Sequence, residues 1–392
     1  MDSLQNPFAP GAGTPPPELA GRDDILNAVL ESCLRASLGL PSRPYLLLGL
    51  RGVGKTVLLN AIGEKAEAAH LIVSEIESPE GESLGNLLYP MMGKVLRRLS
   101  TAEKSKEIAL KGLRALRNFA AALRLKYKDL EISISSDPGV ADTGDIEYDL
   151  TDMFELIGQA AKKNKTAWIL LIDEIQYLSE KDLAAIIASL HKISQKGLPV
   201  VLVGAGLPDV ARQAAEAKTY AERLFLYPTI GALTREAVKE AVATPLAIRG
   251  ASITEEAIDE IFRKTEGYPF FIQEWAYNAW NCAGETTLTL SVLKEAYDKT
   301  IQSLDSGFFR VRFDRLTHRE IDFVKTLASL GQGPFAISDV VSTSGLTQSQ
   351  ISPIRSSLIK KGVVYAPRDG ELAFTVPLFS DYVLRNHAKV AR

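Results

Sequence analysis

A short apolar run, "YLLLG" from Tyr45 to Gly49, stops at a glycine-rich turn and resumes as a helical pattern, "KTVLLNAIGEKAEAA". The turn, Gly49-Leu50-Arg51-Gly52-Val53-Gly54-Lys55-Thr56, fits GxxxxGK[ST]. This pattern ties fold to chemistry. Its glycines leave backbone N–H groups able to point inward at phosphate oxygens, and the helix that follows adds the positive end of its dipole. In such a loop Lys55 reaches the β- and γ-phosphates, and the Thr56 hydroxyl binds Mg²⁺. A strand before and a helix after are the context that the loop requires.

A second apolar strand, in "WILLIDEIQYL", ends in Asp173–Glu174. It carries one carboxylate toward the Mg²⁺ and a second beside it that can polarise an attacking water. A carboxylate aimed at water argues against a kinase, which must hold an acceptor hydroxyl. Asn164-Lys165-Thr166-Ala167 lacks the Asp that would read guanine, so ATP is the expected nucleotide. Around the two motifs, strands alternate with helices: "HLIVSEI" (70–76), "AWILLID" (167–173), "LPVVLVGA" (198–205) and "RLFLYP" (223–228) as the last strand. Continuous apolar runs are strands buried on both faces, and the alternation predicts an α/β fold with a parallel sheet and right-handed crossovers. "DLEISIS" (129–135) alternates like a further strand.

At 392 residues the chain exceeds one compact core. Residues 1–20 are rich in Pro and Gly and read as an extended arm; 21–230 form the α/β domain; 231–306 are helical; 307–392 form a small C-terminal domain. In that last domain "LTHREIDFVKTLASLG", "AISDVVSTSG" and "QSQISPIRSSLIKKG" read as three short helices, followed by two strands around Asp369–Gly370. Helix, helix, recognition helix and β wing is the winged-helix order. The third helix is expected to present Arg355, Ser356, Lys360 and Lys361, with Arg368 at the wing tip, as a surface for double-stranded DNA. Winged helices also dock proteins, which leaves an unidentified protein partner as the alternative.

Charge is uneven. The formal net charge is −3, which excludes a uniformly basic nucleic-acid binder, yet Lys94–Lys128 holds 11 Lys and Arg against Glu103 and Glu107. This basic helical insertion, about 94–128, can follow a phosphate backbone, lie on an anionic membrane surface, or be a solvated face. The two cysteines, Cys33 and Cys282, lie far apart and form no metal or disulfide pattern. No apolar run approaches the roughly 20 residues of a membrane-spanning helix. The N-terminal residues lack a basic segment ahead of an apolar one, so a cytoplasmic chain with no membrane partner is expected.

Taken with "NPF…PPPELAGRDD" at the start, "VVLVGAGLPDV", "YAERLF" and "EGYPFFIQEW", the two motifs resemble AAA+/STAND-type P-loop ATPases of the initiator and transposition-regulator kind, with a C-terminal winged helix. The resemblance covers most of the chain and rests on the order of its motifs. It implies an arm that packs near the adenine, and an all-helical lid whose Gly267 and Pro269 contact the base. It also implies an arginine finger at Arg223 acting on a neighbouring subunit in a homo-oligomer; a salt bridge to Glu222 or another acid at the sheet edge is the other reading of that arginine. Arg51 within the turn contacts phosphate or solvent. Two departures stand out. Gly204-Ala205-Gly206 ends the sensor strand without an Asn, Ser or Thr, and Gly267-Tyr268-Pro269 lacks the lid arginine. Slow turnover and a nucleotide-controlled switch in assembly and DNA docking are therefore expected. The alternative is a signalling switch or scaffold that never touches DNA.

Overall fold

The computed structural model describes residues 1–11, 16–125 and 139–387. The expected strand over 129–135, together with Lys126 and Lys128, lies outside the described residues. The chain divides into two compact units, 22–49 with 55–230, and 1–21 with 50–54 and 231–392.

The first unit is an α/β sandwich. Its elements are α1 (Asp23–Ser37), β1 (Tyr45–Leu48), α2 (Lys55–Ala68), β2 (Ile72–Glu77), α3 (Leu84–Ser100), α4 (Lys106–Ala122), α5 (Ile146–Lys163), β3 (Trp168–Asp173), α6 (Glu180–Gln195), β4 (Val200–Gly206), α7 (Val210–Ala217) and α8 (Ala221–Leu224). The four strands are parallel in the order β1-β4-β3-β2. β3 and β4 are buried along their whole length, which is why both read as unbroken apolar runs. Ligands of such sheets bind beyond the carboxyl ends of the strands, where β3 delivers Asp173.

The expected last strand takes another form. Arg223 lies in the short helix α8, and the segment after that helix makes isolated bridges to β1, Tyr45 with Leu226 and Leu48 with Thr229. Leu226 N donates to Pro44 O, Leu46 N to Leu226 O, Leu48 N to Pro228 O and Ile230 N to Leu48 O, at 2.7–3.0 Å. The missing rung is the one onto Leu46 O, which falls to Pro228, a residue with no N–H.

The insertion is a helical pair, α3 and α4, packed against α5. Leu96, Leu99, Leu113 and Leu116 are buried in the core of the unit, and Lys94, Arg97, Arg98, Lys111 and Arg117 are exposed. The apolar stripes hold the pair down, and the charges lie on its outer surface.

In the second unit the arm runs along a helical region. That region comprises α9 (Arg235–Ile248), β5 (Ser252–Ile253), α10 (Glu255–Thr265), α11 (Pro269–Cys282), β6 (Thr287–Leu288) and α12 (Leu290–Ser303). The short parallel pair β5 and β6 interrupts what the sequence pattern presents as helix throughout. Asn6 Nδ2 donates to Tyr277 O and Asn281 Oδ1, and Trp280 Nε1 donates to Asp2 O, so the arm is fastened to α11.

A π-helical turn (Leu304–Phe309) leads to α13 (Arg310–Phe313), α14 (His318–Ser329), β7 (Phe335–Ala336), α15 (Ile337–Ser344), α16 (Gln348–Lys360), β8 (Val364–Tyr365), β9 (Glu371–Phe374) and α17 (Phe379–His387). The three strands form an antiparallel sheet in the order β7-β9-β8. The fold is therefore an α/β P-loop core, a helical region and a small C-terminal domain resembling a winged helix. β7, two residues long, has no periodicity to announce it.

Glu320 anchors this small domain. It is buried, completes a capping box with Thr317 at the start of α14, and accepts from Ser357 Oγ and Lys361 Nζ, each at 2.6 Å. Burial alone would raise its pKa. The Lys361 ammonium, the Ser357 hydroxyl and the Thr317 N–H outweigh this and hold the carboxyl down to about 2. A carboxyl held below its unfolded value stabilises the fold above the ordinary range near 4.5 and loses that contribution as pH falls toward 2. Glu320→Gln is expected to lower the stability of the C-terminal domain at pH 7 by roughly 1–3 kcal/mol and to flatten the acid limb between those pH values. Urea melts followed across that window check both effects.

Candidate active site

The glycine-rich turn leaves β1 at Gly49, whose N–H donates to Gly206 O at 3.0 Å. α2 begins at Lys55, which is buried, and Thr56 follows in its first turn. Thr56 Oγ1 donates to Asp173 Oδ2 at 2.5 Å. The two motifs, separated by more than a hundred residues, thus meet through a hydroxyl and a buried carboxylate. Hard oxygen donors of this kind suit Mg²⁺, which takes one or two protein oxygens and completes its shell with water and phosphate. Glu75 on neighbouring β2 has its pKa raised, by burial and then by the charge of Asp173. Negative charge is already concentrated at this end of the sheet. Among the described residues no group of three or more His, Cys, Asp or Glu forms a metal cage.

Glu174 adopts a left-handed conformation (φ 50°, ψ 39°), which turns the chain sharply out of β3. Its N–H donates to Asp173 Oδ1 at 2.8 Å. The Gln176 amide donates to Glu174 Oε2, while Gln176 Oε1 accepts from Leu207 N at 3.2 Å. A side chain from the loop after β3 therefore links the second carboxylate to the end of β4. Gly206 makes room for it: a Cβ at that position would lie 2.8 Å from Gln176 Oε1. The end of β4 carries no polar side chain of its own, and Gln176 brings one there from another strand. Gln176 sits three residues past the pair's first Asp in "DEIQ" and had no pattern of its own to single it out.

In the other unit, the middle of the turn meets the Gly-Tyr-Pro segment. The Tyr268 hydroxyl donates to Arg51 O, its ring lies against Gly52, and Phe270 N donates to Gly52 O at 3.4 Å. Burial raises the Tyr268 pKa. Gly267 (φ +71°) packs so tightly that a Cβ would lie 2.2 Å from Leu233 O, and Pro269 is the first residue of α11. Tyr268, the residue between the two expected base contacts, touches the turn with its hydroxyl and its ring. Val53 is buried, and Gly54 has a positive φ of 89°.

Arg223 is exposed at the end of α8, where its carbonyl accepts from Arg43 Nη2 at 3.0 Å; no ion pair to Glu222 forms among the described residues. On α16, Lys360 is exposed and Arg355 is half-buried with its Nε enclosed. Lys361 is committed to Glu320 and to Arg315 O rather than to the surface. Arg368 is exposed in the turn between β8 and β9.

Residues 18–203 match the family described as "AAA ATPase domain", and residues 306–383 match "Domain of unknown function (DUF8462)". Among solved structures, a Walker-type ATPase of Pyrococcus abyssi is similar at 14% identity and a TM-score of 0.54, over 93% of this chain and 96% of that one. The ORC2 protein of Aeropyrum pernix, solved in ADPNP–ADP complexes, is similar at 14% identity and a TM-score of 0.52, over 97% and 98%. At that identity the likeness is one of fold. The comparison with curated proteins returns no match. Among the described residues no helix is long and apolar enough to cross a membrane.

Proposed function

We propose that the chain binds ATP with Mg²⁺ in the Gly49–Thr56 turn, hydrolyses it slowly, and uses its nucleotide state to control self-assembly and the docking of its C-terminal domain on duplex DNA. The observation that carries the reading is the Thr56–Asp173 contact at 2.5 Å, with buried Lys55 on one side of it in sequence and Glu174 on the other. Mg²⁺ supplies charge neutralisation at the phosphate oxygens, held by Thr56 and Asp173. Lys55 balances the outer phosphates, and the turn's N–H groups orient them. Glu174 takes the proton of the attacking water, and Gln176 fixes the carboxylate that does so. Arg223, exposed on α8, is suited to act on a neighbouring subunit and to supply charge that the bare end of β4 does not. The match to the AAA ATPase domain supports hydrolysis, and the adenine nucleotides in the Aeropyrum pernix complexes are in keeping with ATP.

The DNA part rests on the exposed cations Lys360 and Arg368 of the helix–wing arrangement. Its test is fluorescence anisotropy on a mixed-sequence duplex at several salt concentrations. Lys360→Glu with Arg368→Glu is expected to weaken binding at least tenfold and to reduce the salt slope by about 2. Lys361 is left intact, because reversing it would strand buried Glu320. Equal affinity and slope in the double variant would favour the protein-docking scaffold instead.

A further inference from the structure

Within the second unit, four cations line one small recess: Arg51 of the glycine-rich turn, Arg312 of α13, Arg315 just beyond it and Lys361 at the end of α16, with Val363 completing the wall. Arg312 is fixed from behind. Its guanidinium lies 3.8 Å from the centre of the Phe308 ring, and Nη1 donates to Phe308 O at 2.6 Å. Burial, then the charge of Arg51 and that of Arg315, lower its pKa to about 10. Lys361 is braced between Glu320 and the Arg315 carbonyl. Arg51 lies flat on the backbone at Gly362, where a Cβ would sit 2.7 Å from its Nη2 and 2.8 Å from its Cζ. The recess is thus built from three chain segments that each pin a cation in place, although like charges so close repel one another.

A guanidinium fork held as that of Arg312 is matches the oxygens of a phosphate group, and a dianion offsets like charges set this close. We propose that this recess is an anion site for a single phosphate group, with Arg312 and Arg315 as its principal ligands. It is formed without Lys55 or Thr56. Two sources share that chemistry, free inorganic phosphate and the terminal phosphate of a nucleotide.

Titration of the full chain with sodium phosphate, against sodium chloride at matched ionic strength, tests the assignment by calorimetry and by melting temperature. Saturable phosphate binding with a raised melting temperature is expected. Arg312→Gln and Arg315→Gln should each weaken it at least tenfold, the loss expected for a charge-assisted pair. Arg315 is exposed, so its variant carries the test if Arg312→Gln fails to fold. Lys55→Ala should keep the phosphate response while losing nucleotide affinity at the Gly49–Thr56 turn, which separates this site from the turn that cradles ATP. In that Lys55→Ala chain, displacement of phosphate by ATP identifies a nucleotide's terminal phosphate as the source, and no displacement identifies free phosphate. The assignment is overturned if chloride stabilises equally, if both arginine variants bind as wild type does, or if Lys55→Ala alone abolishes the response.

Discussion

Lys55→Ala is expected to reduce ATP affinity about a hundredfold or more, with the fold intact. Lys55 is buried at the first residue of α2, next in sequence to Thr56, whose hydroxyl meets the Asp173 carboxylate. A charged hydrogen bond contributes about 1.5–3 kcal/mol, and one lysine serving two phosphates forfeits at least one such bond when truncated. About 2.7 kcal/mol corresponds to a hundredfold change in dissociation constant. Equilibrium binding of a fluorescent ATP analogue measures it, and far-UV circular dichroism reports on the fold. Undiminished affinity would remove the phosphate-binding role from the turn.

The second large effect concerns turnover and leaves binding alone. Glu174→Gln keeps the shape and the neighbouring Asp173 but cannot take a proton from water; a loss of about 10²–10⁴ in kcat is expected, with ATP affinity near wild type. Gln176→Leu should show the same signature in weaker form, since the leucine leaves Glu174 unbraced while Thr56 and Asp173 stay together. A split between kcat and KM distinguishes this from general damage: a fall in kcat at constant KM supports the role, and unchanged kcat in Glu174→Gln would require another base.

Much of this site was legible in the residues. The glycine-rich turn and the Asp–Glu pair are patterns of sequence, and β3 and β4 are continuous apolar runs of strand length. What escaped is what tertiary contact decides. Gln176 matters only because the loop after β3 passes the end of β4, and Tyr268 because its ring lies on Gly52. Lys361 looks like its exposed neighbour Lys360 in a basic run, yet one step around the helix end turns it inward onto Glu320. Pro228 carried a legible signal, the loss of an N–H donor, and it is what reduces the expected last strand to separate bridges.

The fit of Arg51 against Gly362 has a consequence for how this chain tolerates change. A methyl group at 362 must displace the guanidinium, and it also meets a backbone held at φ +65°. Once the residue at 51 is shortened, the first of those costs vanishes and only the second remains. The two positions, far apart in sequence, therefore set each other's permitted alphabet: the effects of substituting both will not add, and drift at one opens or closes options at the other. The glycine-rich turn is in this way tied, residue to residue, to the evolutionary freedom of the C-terminal domain.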